Sequence, residues 1–483
     1  MPVVLYFYIP FVVMKKLLHV ILLFCGCIPC FGQPSDTYLL DRLAAGDMPG
    51  GSFTIVKEGK LPFLKSLGKS NLATNQDVTE ETIFMLASVS KTVIATAIMQ
   101  LWERGLIDLD ADINHYLPFS VRTPAHPSDS ITARMLLTHT AAIEDNWNTL
   151  ASLYVYGDSP VPLDSFLRNY LVPGGTYYSQ AGNFYTYTPG AGWNYSNVGS
   201  TLAAYLVETI TGDKFHHYCD TAIFTKLCMD NTSFLLSGIT DTTLIARPYT
   251  WSSGYVDNGL YGYPDYPDGQ LRTNLISLTR FMTMYLQHGS YNGARILDSA
   301  TVAYMLQAQT PVESFQGIIF YSAISSNGDT LWGHNGGDAG VNTAMYFNPD
   351  KEIGVIVLTN GNGSSVSSAD LIADTLYKAA LLMPVSANDT FPSCKITGVP
   401  GFGEQVTTSV YPNPTNGQFL IEISRSGSAA ICGIDGKRII LVKLEAGNNE
   451  INLPDTIEDG IYLLQIRDKE GRLIAVRRLM LQR

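Results

Sequence analysis

Hydrophobic positions fall along the chain in three regimes. Residues 1–31 are almost continuously apolar, broken mainly by Lys15, Lys16 and His19. Met14-Lys15-Lys16 followed by Leu17 to Phe24 gives a positive segment and a short apolar run, and small Gly32 precedes Gln33 at a plausible cleavage point. We read residues 1–32 as a cleaved secretion signal, with Met14 as an alternative start. A retained anchor, or a lipid anchor on Cys25 or Cys27, fits less well. No stop-transfer charge cluster follows, no small-residue lipobox precedes either cysteine, and no later run approaches the roughly 18 apolar residues that a span needs.

The second regime mixes two periods. SFTIV, the turn Glu58-Gly59-Lys60 and PFLKSLG predict a β-hairpin over residues 51–70. From Ser88 to Arg104, Val89, Val93, Ile94, Ala97, Ile98, Leu101 and Trp102 recur at helical spacing, with Gly105 just past the end. Residues 145–195 are rich in Tyr, Gly and Asn, a composition that predicts surface loops. A helical run follows from Gly199 to Ile210. Strand character returns at Thr330 to Trp332 and at Val341 to Phe347, where Asn348-Pro349-Asp350-Lys351 turns the chain into Ile353 to Leu358, and a helix is predicted over Asp370 to Met383. Strands at both ends enclosing helices predict an α+β fold: an antiparallel sheet flanked by helices with a mainly helical insertion.

In the third regime, residues 384–404 carry Pro, Gly, Ser and Asn without periodicity and read as a linker. Beyond it lie short strand-like runs at Phe419–Ile423, Ala430–Ile434, Lys437–Val442, Ile461–Ile466 and Leu473–Leu481, with turns at Asp435-Gly436 and Asp459-Gly460. They predict a small β-sandwich over residues 405–483. Charge follows the same division. The tail holds ten Lys and Arg against nine Asp and Glu, a net of +1, so the rest carries −13 of the chain's −12. An acidic chain repels the phosphates that dominate nucleic-acid affinity, so nucleic acid is not an expected partner.

Cysteine use fits export. Three of the seven (Cys25, Cys27, Cys30) leave with the signal, and Cys219, Cys228, Cys394 and Cys432 remain. Cys219 and Cys228 are close enough in sequence to close a small loop, or stay as two free buried thiols.

Three short elements carry the chemistry. Ser88-Val89-Ser90-Lys91 opens the long helix, and spacing i, i+3 places hydroxyl and ammonium on one face. A hydroxyl is a poor nucleophile until an adjacent base handles its proton. Ser66-Leu67-Gly68-Lys69 matches the same pattern but lies on a strand. Tyr195-Ser196-Asn197 sits on a loop before the next helix, and His334-Asn335-Gly336-Gly337 ends the strand TLWG. Tyr-x-Asn recurs at Tyr346 to Asn348 and Tyr411 to Asn413, so only the ordered set of three is informative.

Taken in that order, and with ITARMLLTHTAAI and TPGAGWNYSNVGSTLAAYLVETITG beside them, residues 38–383 resemble the serine β-lactamase and penicillin-binding-protein superfamily, on its class C, D,D-peptidase and esterase side. The resemblance implies that Ser88 is acylated, that Lys91 handles its proton, and that Tyr195 is a second acid or base. Asn197, His334 and Gly336 would bind substrate, and the backbone N–H groups of Ser88 and Gly337 would form the oxyanion hole. It implies no metal and no cofactor. His139, in LLTHT, reads as structural by the same resemblance, and His216, His217 and Cys219 lack a second ligand cluster. His334 stands where true β-lactamases carry a Lys, which removes a constant positive charge, and Asp338 adds a negative one nearby. Tyr177, Tyr178, Tyr185, Tyr187 and Trp193 are expected to wall the cleft, the alternative being a small apolar core of the loop itself.

VYPNPTNGQFLIEI, DGIYLLQIRD and the closing RRLMLQR resemble the type A C-terminal sorting domain of type IX secretion cargo. The expectation is therefore a secreted or surface-attached serine hydrolase, exported through Sec and then the outer membrane of a Gram-negative bacterium. It would act on small esters or D-amino-acid peptides, with the secretion machinery as partner and no membrane span once the signal is gone. A β-lactamase, or a non-catalytic penicillin-recognising surface protein, are the competing expectations.

Overall fold

The computed structural model describes residues 33–394 and 408–483, apart from 414, 424–425, 434–437, 455 and 470–472. The signal over 1–32, residues 395–404 of the expected linker and the Asp435-Gly436 turn lie outside the described residues.

The hairpin forms as β1 (Gly50–Lys57) and β2 (Lys60–Asn71), joined where Glu58 and Gly59 both take positive φ. With β3 (Gln76–Asp77), β4 (Tyr321–Ile324), β5 (Thr330–Asp338), β6 (Val341–Asn348) and β7 (Ile353–Thr359) it makes a seven-stranded antiparallel sheet in the order β4-β5-β6-β7-β1-β2-β3. The first strand pairs with the last, Gly51 opposite Thr359 through Lys57 opposite Ile353. Everything between β3 and β4 is therefore an insertion, largely helical.

Residues alternate between the two faces of a strand. Ile353, Val355 and Val357 of β7 join one apolar cluster while Ile356 and Leu358 join another. The first is covered by α1 (Asp36–Ala45), whose Ser35 cap accepts from the Tyr38 N–H, and by the C-terminal helix Ala369–Leu382. The second faces the insertion, in which α2 (Lys91–Glu103) runs through the middle, buried from Lys91 to Leu101. Around it stand α3 (Leu163–Leu171), α4 (Asn197–Thr211) and α5 (Leu275–Leu286). We label the helix Ala369–Leu382 α6.

Two expectations fail here. Residues 145–195 are not only loops: Leu163, Phe166, Leu167, Tyr170 and Leu171 recur at helical spacing, and α3 buries all five. Cys219 does not pair with Cys228. Cys228 is bonded to Cys394, with Cα atoms 5.6 Å apart, while Cys219 is a free thiol buried in the core on the short helix Phe215–Cys219. The bond straps the start of the expected linker to the domain, and other contacts do the same. Asp389 O accepts from the Leu61 N–H at 3.0 Å, Pro392 O from Arg280 at 2.9 Å, and Phe391 packs edge-on against Tyr291.

The tail builds two sheets. β8 (Thr408–Tyr411), β9 (Gln418–Ile423) and β12 (Gly447–Asn452) form one, and β10 (Gly427–Cys432), β11 (Arg438–Leu444), β13 (Gly460–Asp468) and β14 (Leu473–Leu481) form the other. Phe419, Ile421 and Ile423 of the first meet Ala429, Ile431, Leu464 and Ile466 of the second in a separate apolar core. β8 and β12 were not foreseen, because TSVY is short and GNNEIN too polar to read as strand.

Candidate active site

Ser88 lies on a 3-10 turn, Ala87–Ser90, that runs directly into α2. Ala87 holds φ at +47°, a left-handed conformation that a residue with a Cβ rarely adopts. The turn is held from several sides. Leu86 N–H donates to Leu271 O at 2.8 Å, Thr343 Oγ1 donates to Leu86 O at 2.6 Å, and Ser90 Oγ accepts from the Leu271 N–H at 3.1 Å. Gly336 of β5 is part of this support. A Cβ there would lie 2.3 Å from Leu86 O and 2.4 Å from Thr343 Oγ1, so only glycine lets the strand press against the Ala87–Ser90 turn. Gly336 is thus buried against Leu86 and Ala87.

Lys91 is fully buried and its ammonium is shared. It donates to Ser88 Oγ at 3.1 Å, Asn197 Oδ1 at 2.6 Å and the backbone carbonyl of Asp268 at 2.9 Å, with Asp268 Oδ2 3.7 Å away. Burial pulls the Lys91 pKa down, but Tyr195 and Asp268 outweigh it and hold it above its ordinary value. The resting side chain is therefore an ammonium. The Tyr195 phenol reaches both Lys91 and Ser88, and its ring lies 5.0 Å from Lys91 Nζ. Burial pushes its pKa up, against the pull of Lys91.

Asn197 is the first residue of α4 rather than part of the preceding loop, and the helix start is organised by a residue the sequence reading missed. Asp145 accepts from the N–H groups of Asn197 at 2.8 Å and Val198 at 3.1 Å, and from Ser196 Oγ at 3.3 Å. It satisfies donors that a helix start leaves open and fixes the Asn197 side chain on Lys91. Nothing in IEDNW marks it, because its partners lie some 50 residues away in sequence.

His334 donates from Nδ1 to Asn335 O at 2.5 Å, so Nε2 carries the lone pair, and it is buried without a hydrogen-bond partner. Burial and the Lys91 charge lower its pKa to about 3. It is a neutral acceptor across the physiological range. His139 is neutral for the same reasons, burial first and Lys91 second. Its Nδ1 accepts from the Ser196 N–H at 3.2 Å, and its ring lies 4.4 Å from that of Tyr195. It props the tyrosine.

Gly337 is exposed. Two residues before it, the Asn335 N–H points off the edge of β5 to Tyr321 Oη at 3.2 Å. With a period of two, the Gly337 N–H points the same way, and there β4 has already ended, since it pairs only as far as Gly333. Asp338 is not free to meet a substrate. It accepts from Tyr154 at 3.2 Å, Tyr263 at 3.3 Å and the Ala339 N–H at 2.7 Å. Burial raises its pKa.

The aromatic wall is differently composed from expectation. Tyr177 and Tyr178 pack into the core, and Tyr185 stacks on Tyr187. Of the expected set, Trp193 stands by the site, edge-on to His139 at 6.2 Å. Tyr154, Tyr261 and Tyr263 form the aromatic cluster beside Asp338.

Sheet, insertion, Ser-Lys helix, Tyr-x-Asn helix start and His-x-Gly-Gly strand together define a β-lactamase/transpeptidase-like fold. The Beta-lactamase family profile matches residues 36–377, and the chain belongs to that family. The profile for the secretion system C-terminal sorting domain matches residues 409–482, so the tail is a type IX sorting domain. Protein flp of Staphylococcus aureus (strain MRSA252) is 21% identical over 335 residues, 69% of this chain and 64% of that protein. The chain thus spans under two thirds of that relative. Esterase EstB of Burkholderia gladioli is 27% identical over 187 residues, 38% of this chain and 47% of that protein. The crystal structure of D-amino acid amidase from Ochrobactrum anthropi SV3 complexed with L-phenylalanine amide superposes with a TM-score of 0.57. It is 20% identical over 70% of this chain and 95% of that one, a likeness of fold.

Proposed function

We propose that this protein is a secreted serine hydrolase that cleaves small esters or D-amino-acid amides and peptides through an acyl-enzyme on Ser88. The observation that carries the reading is the fully buried Lys91 donating to Ser88 Oγ at 3.1 Å, with Tyr195 reaching the same pair. When Ser88 Oγ attacks a substrate carbonyl carbon, its proton passes to the Lys91–Tyr195 pair. The resulting oxyanion is held by the N–H groups of Ser88 and Gly337, each such donor being worth about 3–4 kcal/mol. Tyr195 returns the proton to the leaving oxygen or nitrogen, and water attacking the acyl-enzyme reverses the sequence. A neutral His334 and an Asp338 already engaged by two tyrosines offer a substrate carboxylate no cation, which favours uncharged esters and amides over β-lactams. The sorting tail supports delivery across the outer membrane by the type IX machinery.

A fluorophosphonate probe should label the wild type and spare Ser88→Ala, with turnover of p-nitrophenyl acetate falling by about 10³-fold or more. Equal labelling of both proteins removes Ser88 from the nucleophile role. A kcat/KM for nitrocefin above those for p-nitrophenyl acetate and a D-Ala-D-Ala peptide would make this a β-lactamase.

A further inference from the structure

The carboxyl group of Asp268 has no part in the chemistry above, yet it sits against it. Asp268 ends a short 3-10 turn, Tyr266–Asp268, that packs beside the nucleophile turn. A Cβ on the next residue, Gly269, would lie 3.7 Å from the Ala87 carbonyl carbon. Its side chain is 9% exposed, Oδ2 lies 3.7 Å from Lys91 Nζ, and Oδ1 is buried with no hydrogen-bond partner.

A buried carboxylate with one oxygen left unpartnered is poorly stabilised in its ionised form. Three others crowd it: Asp265 at the N-cap of the same turn, Asp145 bonded to the first N–H groups of α4, and Asp338 on β5. The phenols of Tyr154, Tyr195 and Tyr263 also face it. Against all of these stands Lys91. Burial first, then Asp145 and Asp338, overcome the pull of Lys91 and push Asp268 up to about 7. The acyl-enzyme reading has a matching gap. Lys91 rests as an ammonium, and an ammonium cannot take the Ser88 proton.

We propose that Asp268 is a positioning residue that acts through Lys91, taking up one ammonium proton so that a neutral amine faces Ser88. The proposal rests on the acyl-enzyme reading. The transfer is balanced within the pair: the Lys91 N–H bond breaks, an Asp268 O–H bond forms, and an ammonium and a carboxylate become an amine and a carboxylic acid with no net change in charge. The amine lone pair then accepts the Ser88 proton as Oγ bonds to the substrate carbonyl carbon. Its ammonium form can afterwards pass a proton through Tyr195 to the leaving group. When Asp268 and Lys91 are both protonated the pair has no base to offer, so kcat/KM falls as pH drops below about 7.

Asp268→Asn tests this. It keeps the shape and the backbone carbonyl that Lys91 contacts, and removes the proton acceptor together with the negative charge that helps to raise Lys91. With p-nitrophenyl acetate, the variant should lose about 10²-fold in kcat/KM at neutral pH, within the usual range for a proton-transfer group. The acid limb of its pH profile should leave the region near pH 7, while its melting temperature stays at or above the wild-type value. An unchanged acid limb, or a kcat/KM within about threefold of wild type, overturns the proposal. A second measurement needs no turnover. In ¹³C-carboxyl spectra, one resonance missing from Asp268→Asn should titrate near pH 7 in the wild type, and a midpoint near the ordinary aspartate value of about 4 overturns the proposal. If Ser88 takes no probe at any pH while that resonance titrates near 7, the acyl-enzyme reading fails and the proton-holding role of Asp268 stands.

Discussion

On one face of the central sheet, Phe53, Ile55, Val355 and Val357 pack against Leu39, Leu43, Ile372 and Leu376 of α1 and α6. On the other face, Val56, Ile356 and Leu358 pack against the insertion that carries Lys91, Asp145, Asn197 and Asp268. Both faces are buried, but what they bury differs. The first is mainly apolar, its buried Asp370 bonded to Tyr346 and Asn335, and its favourable free energy scales with apolar area. The second places an ammonium, several carboxyl groups and two neutral histidines in the interior, with His139 Nε2, His334 Nε2 and Asp268 Oδ1 lacking hydrogen-bond partners. Such groups weaken the fold, and they persist where a substrate would meet them. The comparison teaches that one face of the sheet stabilises the fold while the other carries the candidate site.

The largest effect expected comes from the apolar face. Phe53 is fully buried on β1, and Phe53→Ala should lower stability by about 3–5 kcal/mol, the lost transfer free energy plus the cavity. If the division of labour holds, kcat/KM per folded molecule stays at the wild-type value. Denaturant melts beside ester kinetics would check it, and a variant that melted normally but turned over slowly would break the comparison.

What the sequence disclosed follows the same division. The hairpin, β6, β7 and α6 were legible because period-2 and period-3.6 patterns record burial on one face. Ser88, Lys91, Tyr195, Asn197 and His334 were legible as ordered motifs, and the structure brings all five together. Asp145 and Asp268 were not, since an acidic residue in a loop looks the same whether it meets water or a buried ammonium. The Cys228 partner was hidden for a related reason. Proximity in sequence favoured Cys219, but Cys219 is held in the core on its helix while the chain returns 166 residues later to bring Cys394 alongside. Gly336 also answers a demand that the motif did not announce, close approach of its strand to Leu86.

A smaller effect should separate the two faces more sharply. Asp145→Ala removes the acceptor for two α4 N–H groups, a loss worth about 0.5–2 kcal/mol for a helix start. Because the same carboxylate fixes Asn197 on Lys91, activity should fall by more than that stability change conveys, about tenfold or beyond, with kcat hit harder than KM. An activity loss no larger than the stability loss would make Asp145 merely structural.

The smallest effect at neutral pH is expected at His334, and there the comparison turns on sign. Its pKa is about 3 in the folded chain and about 6.5 when unfolded, so between those values the unfolded state binds more protons and stability rises with pH. His139, also held neutral by burial, acts in the same direction. Asp268 acts oppositely: raised to about 7 from its ordinary 3.8, it makes the folded state bind more protons across that window, so its contribution is lost as pH rises. His334→Gln removes one titrating ring and keeps a polar side chain. Its melting temperature should match the wild type near pH 7, where His334 is neutral in both states. Below pH 6.5 the wild type should lose stability faster than the variant, and the gap should widen down to about pH 3. Parallel acid melting curves for the two proteins would mean that His334 is already charged in the folded state. That would restore a cation to the cleft and reopen the case for a carboxylate-bearing substrate.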